Sequence, residues 1–150
     1  MRKTKLKKQS NRALRRIETR LDKDYQDFFR ELCEKYNITS EYSGKKMEVC
    51  HHPILKSKSA NLRYNPINFV PITNGEHSQI HHFSPGNNEI MNRVYIKRGI
   101  KWAKALEKLQ IPSVMKDLLY YAKYRDQLEE MKLHREELVN NYRKLGYFKL

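Results

Sequence analysis

The chain has 150 residues, of which 39% are hydrophobic and 32% charged, a length and balance that suit one domain with a lean core. No apolar run nears the ~20 residues of a membrane span, and no apolar stretch follows the basic N-terminus as a secretory signal requires. Two cysteines, Cys33 and Cys50, with no CxxC spacing make neither a disulfide framework nor a zinc ribbon, so the expected compartment is the reducing cytoplasm.

The net charge of +14 calls for a polyanionic partner, nucleic acid before a membrane surface. It is spread unevenly. Residues 1–20 carry nine positive charges and one negative. Residues 21–50 carry five against seven, and the rest of the chain is again basic. The first stretch reads as a basic arm.

Ser10 is the expected N-cap of a first helix over residues 11–36, because Leu14, Ile17, Leu21, Tyr25, Phe28 and Leu32 recur at helical spacing. That periodicity stops after Asn37. Met47 through His52 reads as a short strand stopped by Pro53, and Asn68 through Ile72 as a second, confined by its prolines to an edge or a two-stranded ribbon. Thr73 and Glu76 have the spacing of a capping box and predict a short helix over 74–83, stopped by Ser84-Pro85-Gly86. From Asn87 the chain is helical again, with Ile90, Val94, Ile100, Trp102, Leu106 and Leu109 apolar and a break at Arg98-Gly99. Pro112-Ser113 opens a final helix to about Leu145, with Leu118, Leu119, Ala122, Leu128, Met131, Leu138 and Tyr142 as its packing residues. Tyr120, Tyr121 and Tyr124 read as core residues, as does Trp102. The expected fold is mainly α with a small β-hairpin. Its parts are an arm and helix over 1–36, a central unit over 37–100 and a helical region over 101–150, in one compact domain.

Five of the six histidines fall within residues 51–82. His77 and His81 are four apart on the predicted short helix, about 40° from each other around its axis, so both rings can share one metal ion. His82 points elsewhere. His51 and His52 are adjacent in a strand and face opposite sides. One can join the helix pair, which leaves the other for acid–base work near neutral pH.

The order His51-His52, Asn68, then His77 and His81 resembles the HNH endonucleases, whose core is the ββα-metal motif. Cys50-His51-His52-Pro53-Ile54 looks like the first strand, Asn65 to Ile72 like the turn and second strand, and Glu76 to His81 like the helix. The likeness covers about residues 45–83. The stretch Leu62-Arg63-Tyr64-Asn65, with Lys56 and Lys58, is also similar to phage recombination nucleases of the HNH type. The chain departs from many members in lacking CxxC pairs, and from that branch in carrying His77 where cysteine is usual.

The resemblance implies a metal-dependent DNA endonuclease that hydrolyses phosphodiester bonds and leaves 5′-phosphate and 3′-hydroxyl ends. His51, His77 and His81 would hold one divalent ion, zinc, nickel, magnesium or manganese. His52 would be the general base, and Asn68 would fix its orientation across the loop. Lys56, Lys58 and Arg63 lie in that loop and suit DNA phosphates. Arg63 stands out because a planar guanidinium bridges two phosphate oxygens. The rival expectation is a non-catalytic nucleic-acid-binding protein with a structural zinc. The long terminal helices also offer apolar stripes for a homodimer.

Overall fold

The structure, a computed structural model, describes residues 2–82, 88–111 and 114–150, and of residues 2–9 the backbone alone. Among the described residues it is mainly helical with one two-stranded antiparallel sheet. Helix α1 spans Arg2–Lys35, strand β1 Val49–His51 and strand β2 Val70–Ile72. Then come α2 (Asn74–His82), α3 (Glu89–Arg98), α4 (Ile100–Leu109), α5 (Leu118–Leu133) and α6 (Arg135–Leu145).

Helix α1 starts at Arg2, well before the predicted start after Ser10, so Ser10 is not its cap and the basic stretch is not a loose arm. Lys, Arg, Leu and Gln are good helix formers, and no Gly or Pro stands among the first ten residues to interrupt them. At its other end the backbone turns left-handed at Asn37, φ 55°, a common conformation just past a helix C-terminus.

The apolar stripe of α1 behaves as its spacing predicts. Leu21, Tyr25, Phe28, Phe29 and Leu32 are buried against Tyr120, Tyr121, Tyr124, Leu128 and Met131 of α5 and Leu138 and Val139 of α6. The first and last parts of the chain therefore share one core. A second buried cluster joins Ile67, Val70, Ile72 and Ile80 of the hairpin and α2 to Ile90, Val94, Trp102 and Leu106 of α3 and α4. Gly99, with φ 88°, makes the break between α3 and α4, a backbone conformation that side chains rarely tolerate.

The structure departs from expectation at three further places. The last helix is two, α5 and α6, broken at His134, where φ is −113° and ψ 35°. No Gly or Pro marks that break. It turns α6 back so that Leu138, Val139 and Phe148 reach the α1 core. The α5 helix begins at Leu118, capped by the Asp117 carboxylate on the Tyr120 N–H. Leu118 and Leu119, in its first turn, are 66% and 79% exposed, and Ala122 and Ile100 are exposed as well, so none of the four is a packing residue. The second strand is shorter than predicted because Pro66–Asn68 forms a 3-10 turn, capped by the Asn65 side chain on the Ile67 N–H. The expected stop at Ser84-Pro85-Gly86 and the start at Pro112-Ser113 lie outside the described residues.

The hairpin pairs Val49 with Ile72, Cys50 with Pro71 and His51 with Val70. Both outer edges are occupied. Gln26 of α1 caps the free edge of β1, accepting from Cys50 N–H at 2.9 Å and donating to Cys50 C=O at 3.0 Å. Glu41 N–H donates to Pro71 C=O on the far side of β2 at 3.0 Å. Exposed strand edges invite foreign pairing, and here α1 and the residue-41 turn prevent it. The same bonds fix α1 alongside the histidine strand.

Candidate metal centre and the residues around it

The α2 helix forms where predicted, and its cap is reciprocal. Glu76 N–H donates to Thr73 Oγ1 at 3.2 Å, and Thr73 N–H donates to Glu76 Oε1 at 3.0 Å. Ser40 also donates to that carboxylate. The N-terminus of α2 is thus tied to the turn before β1, which sets the angle at which His77 and His81 meet the strand.

His51, at the end of β1, faces the α2 pair. The His77 and His81 ring centroids are 4.6 Å apart, and the His51 ring lies 5.4 and 5.5 Å from them. One donor nitrogen from each of the three falls within 4.8 Å of the others, and the Nε2 atoms of His77 and His81 are 3.1 Å apart. An ion ~2.1 Å from each imidazole nitrogen holds neighbouring donors roughly 3–3.5 Å apart. His51, His77 and His81 are therefore close enough to hold one metal ion.

The donor set fits. His51 Nδ1 is the one buried side-chain nitrogen or oxygen among the described residues with no hydrogen-bond partner. Burial, and then His77 and His81, push the His51 ring down to about 3. Burial, followed by His81 and Lys56, lowers His77. Both rings are neutral near pH 7, the form that ligates. Cys50 lies outside the cluster, and burial pushes its thiol well above the ordinary range. His82 is exposed and outside the cluster.

His52, the residue after β1, lies outside this cluster. Its ring packs edge-on against Phe69 at 4.8 Å, and Nε2 lies 3.1 Å from the Arg63 carbonyl. A carbonyl only accepts, so Nε2 carries the proton and Nδ1 keeps its lone pair. Burial, then Lys56 and His51, push the ring down to about 3, so it is unprotonated at neutral pH. Asn68 is fully buried and bridges the loop after His52. Its Oδ1 accepts from Ile54 N–H at 2.9 Å, while Nδ2 donates to Ile54 C=O at 2.8 Å and to Leu62 C=O at 3.4 Å. Asn65 does separate work as the cap of the 3-10 turn.

A cavity of about 570 Å³ brings these groups together, lined by His51, His52, His77 and His81 with Lys56, Arg63, Glu18 and Lys116 among its other walls. Lys58 is exposed and borders a neighbouring cleft of about 450 Å³, which His51 and His81 also line. Lys56 is half-buried, 3.7 Å from Asp22.

Arg63 is not the free loop cation its position suggests. It is 8% exposed and grips Asp22 through Nε at 3.1 Å and Nη2 at 2.6 Å, with Glu18 3.2 Å from Nη2. Tyr64 OH donates to Asp22 at 2.8 Å, Lys116 reaches Glu18 at 3.1 Å, and Tyr121 OH donates to Glu18. Burial alone would raise the Asp22 carboxyl, but the bonds from Arg63 and the charge of Lys56 hold it below its ordinary range. Glu18 is lowered against burial in the same way by Tyr121, Arg63 and Lys116.

These acids escape a motif reading because their partners are more than thirty residues away. One signal is present in the sequence. Glu18 is the only acid among the first twenty residues, and Asp22 follows at i+4 on the same face. In comparisons with family models, curated proteins and solved structures, nothing matches this chain. Among the described residues no helix is long and apolar enough to cross a membrane.

Proposed function

We propose that the protein is a metal-dependent DNA endonuclease of the HNH type. One observation carries the reading: three histidines with donor atoms within 4.8 Å of one another share a cavity with a fourth, His52, which follows β1 directly and has its Nε2 held by the Arg63 carbonyl. A structural metal site needs three or four ligands and has no use for a spare imidazole oriented by a carbonyl.

His52 Nδ1 takes a proton from water as the water oxygen attacks phosphorus. The bond to the 3′ oxygen breaks, leaving a 5′-phosphate and, once that oxygen is protonated, a 3′-hydroxyl. A divalent ion on His51, His77 and His81 would supply positive charge to the phosphate and the departing oxygen while keeping positions open for them. Asn68 ties down the Pro53-Ile54 bend and so keeps the His52 backbone in place. Lys56 and Lys58 border the two clefts that meet at His51 and His81, where a DNA strand would bring its phosphates.

Helix α1 supports DNA as the substrate. Arg12, Arg15, Arg16 and Arg20 are exposed, and none is paired with a carboxylate among the described residues. The nearby acids Glu18 and Asp22 are engaged instead by Arg63 and Lys116 beside the cavity. A rigid helix with such a face follows a phosphate backbone without reading bases.

The test is incubation with supercoiled plasmid and a panel of divalent ions, with and without chelator. Cleavage that needs the ion, is abolished by His52→Ala, and leaves metal content of that variant unchanged is the expected result. Metal loss in His52→Ala alone would reverse the roles of His51 and His52. Absence of cleavage with every ion would overturn the reading.

A further inference from the structure

Helix α1 presents a polar ridge toward the hairpin at strict i, i+4 spacing: Glu18, Asp22, Gln26 and Arg30. Each member grips the segment that carries the histidines or the loop behind it. Arg30 Nε donates to Glu48 C=O at 3.1 Å, Gln26 pairs with the Cys50 backbone, and Asp22 and Glu18 hold Arg63. The ridge fixes the entry to His51-His52 at one end and the residue that meets the His52 ring at the other.

Arg63 is bound at both its ends. Its guanidinium is held by two carboxylates of α1, and its carbonyl accepts the His52 Nε2–H at 3.1 Å. The next residue is held by the same acid, because Tyr64 OH donates to Asp22 Oδ1 at 2.8 Å. Asp22 thus pins two consecutive residues of the loop whose main chain orients the proposed base. An unanchored loop would let the carbonyl turn away. The imidazole would then take either tautomer, and in one of them the atom facing water carries a proton and cannot accept another.

We infer that Asp22 is a positioning residue: through Arg63 and Tyr64 it holds the Arg63 carbonyl against His52 Nε2, which keeps the lone pair of His52 on Nδ1. The inference rests on the endonuclease reading for its consequence in catalysis, and on the hydrogen-bond geometry alone for its effect on the ring. Asp22 touches neither the three metal-site histidines nor the reacting atoms. Its removal therefore separates ring orientation from metal binding.

The experiment uses the full-length protein loaded with zinc, with nitrogen NMR of the histidine rings, zinc titration and plasmid-nicking kinetics on the same samples. The parent is expected to carry the His52 proton on Nε2 alone. Asp22→Asn keeps the shape but loses the charge that holds the guanidinium. It should give a mixture of His52 tautomers and a kcat lower by about 10–100-fold, the usual effect of losing such a supporting partner, while KM and zinc affinity stay within about threefold. A folded Asp22→Asn with a single Nε2–H tautomer overturns the inference, and so does one with the parent's kcat where the parent cleaves. Should that variant fail to fold, Tyr64→Phe decides, since it removes one of the two hydrogen bonds to Asp22 Oδ1 and leaves every charge in place. A partial tautomer mixture is expected there, and a ring signature identical to the parent's overturns the inference. If the parent itself cleaves nothing, the nuclease reading fails while a tautomer shift in Asp22→Asn still supports the role of Asp22 at His52.

Discussion

Among the described residues two arginines are buried, each gripped by carboxylate, yet they serve opposite ends. Arg98, at the end of α3, pairs with Glu41, and the two side chains are 0% and 1% exposed. Its remaining N–H groups reach Phe69 C=O at 2.8 Å and Ile67 C=O at 3.5 Å, and its plane lies 4.7 Å over Trp102. Tyr142 OH of α6 donates to the same carboxylate at 3.0 Å. The pair ties the second strand to α3, α4 and α6 with no face left open. Arg63 pairs with Asp22 at 10% and 20% exposure, and one side of that pair is the wall of the histidine cavity. The closed pair holds the fold together, whereas the open one holds the loop whose Arg63 carbonyl meets the His52 ring.

Single substitutions put the two pairs under the greatest strain. Arg98→Ala leaves a buried carboxylate without its counter-charge and takes a donor from the Phe69 carbonyl, while the Ile67 carbonyl keeps the Trp102 N–H. It should cost about 3–5 kcal/mol in urea unfolding. Arg63→Ala should cost less, about 1–3 kcal/mol, because Asp22 retains Lys56 and Tyr64 and some water. In plasmid cleavage by the folded variants the ranking should invert, with Arg63→Ala slowed more. Equal stability losses would show that the difference in exposure has no energetic meaning.

Metal binding gives the next largest effect. An ion that binds only the folded state at 100 times its Kd adds about 2.7 kcal/mol. Zinc should therefore raise the unfolding midpoint of the parent and of His52→Ala alike. In His77→Ala and His81→Ala that rise should be small or absent. A full zinc response in both of these variants would remove the three-histidine site.

What the sequence makes legible is what local chemistry decides. The Thr73–Glu76 box, the Gly99 break and the i, i+4 histidines each depend on residues within one turn, and each is found where its spacing puts it. The start of α1 is harder, because Ser10 is a good cap in isolation whereas the run of Lys, Arg and Leu before it is good helix. The break at His134 leaves no trace in composition, since it comes from α6 folding back to bury Leu138 and Val139 on α1. Charge alone assigns Arg63 to DNA. Its partners Asp22 and Glu18 are set by how α1 docks along β1, a tertiary fact that no window of sequence contains.

Acid sharpens the same contrast by loading protons onto the open region. His51 and His52 have folded values of about 3 against an ordinary value near 6.5, both chiefly through burial. Between those limits the unfolded chain binds more protons than the folded one, so stability falls as pH falls. The loss approaches about 1.4 kcal/mol per pH unit for each ring. Above pH 6.5 the slope from each ring fades, as the unfolded imidazole also loses its proton. Unfolding of the metal-free protein should thus hold steady from about pH 8 to 7 and weaken progressively below. His52→Phe should flatten that decline by somewhat less than half, because His51 and, in the same direction, His77 keep their share. A decline unchanged by that substitution would place its source elsewhere.

The smallest effect on stability, and the sharpest on binding, belongs to a third class of arginine. Arg12, Arg16 and Arg20 are exposed at i, i+4 and i+8 on α1, on one face of the helix. Unlike Arg98 and Arg63 they meet no carboxylate among the described residues. Replacing all three with Gln removes no ion pair and no buried side chain, so unfolding free energy should change by no more than about 0.5 kcal/mol. Binding to duplex DNA should respond differently. Each phosphate neutralised by a cation contributes roughly 0.9 to the slope of log K against log salt, so a variant that leaves three phosphates unneutralised should shrink that slope by roughly 2.7. The chemical step at saturating DNA should survive, because these residues line neither of the clefts at the histidines. A triple variant with the parent's salt slope would mean that the α1 arginines are merely solvated. DNA would then have to be held by Lys56 and Lys58 at the clefts, where the same measurement on Lys58→Gln would find the missing charge.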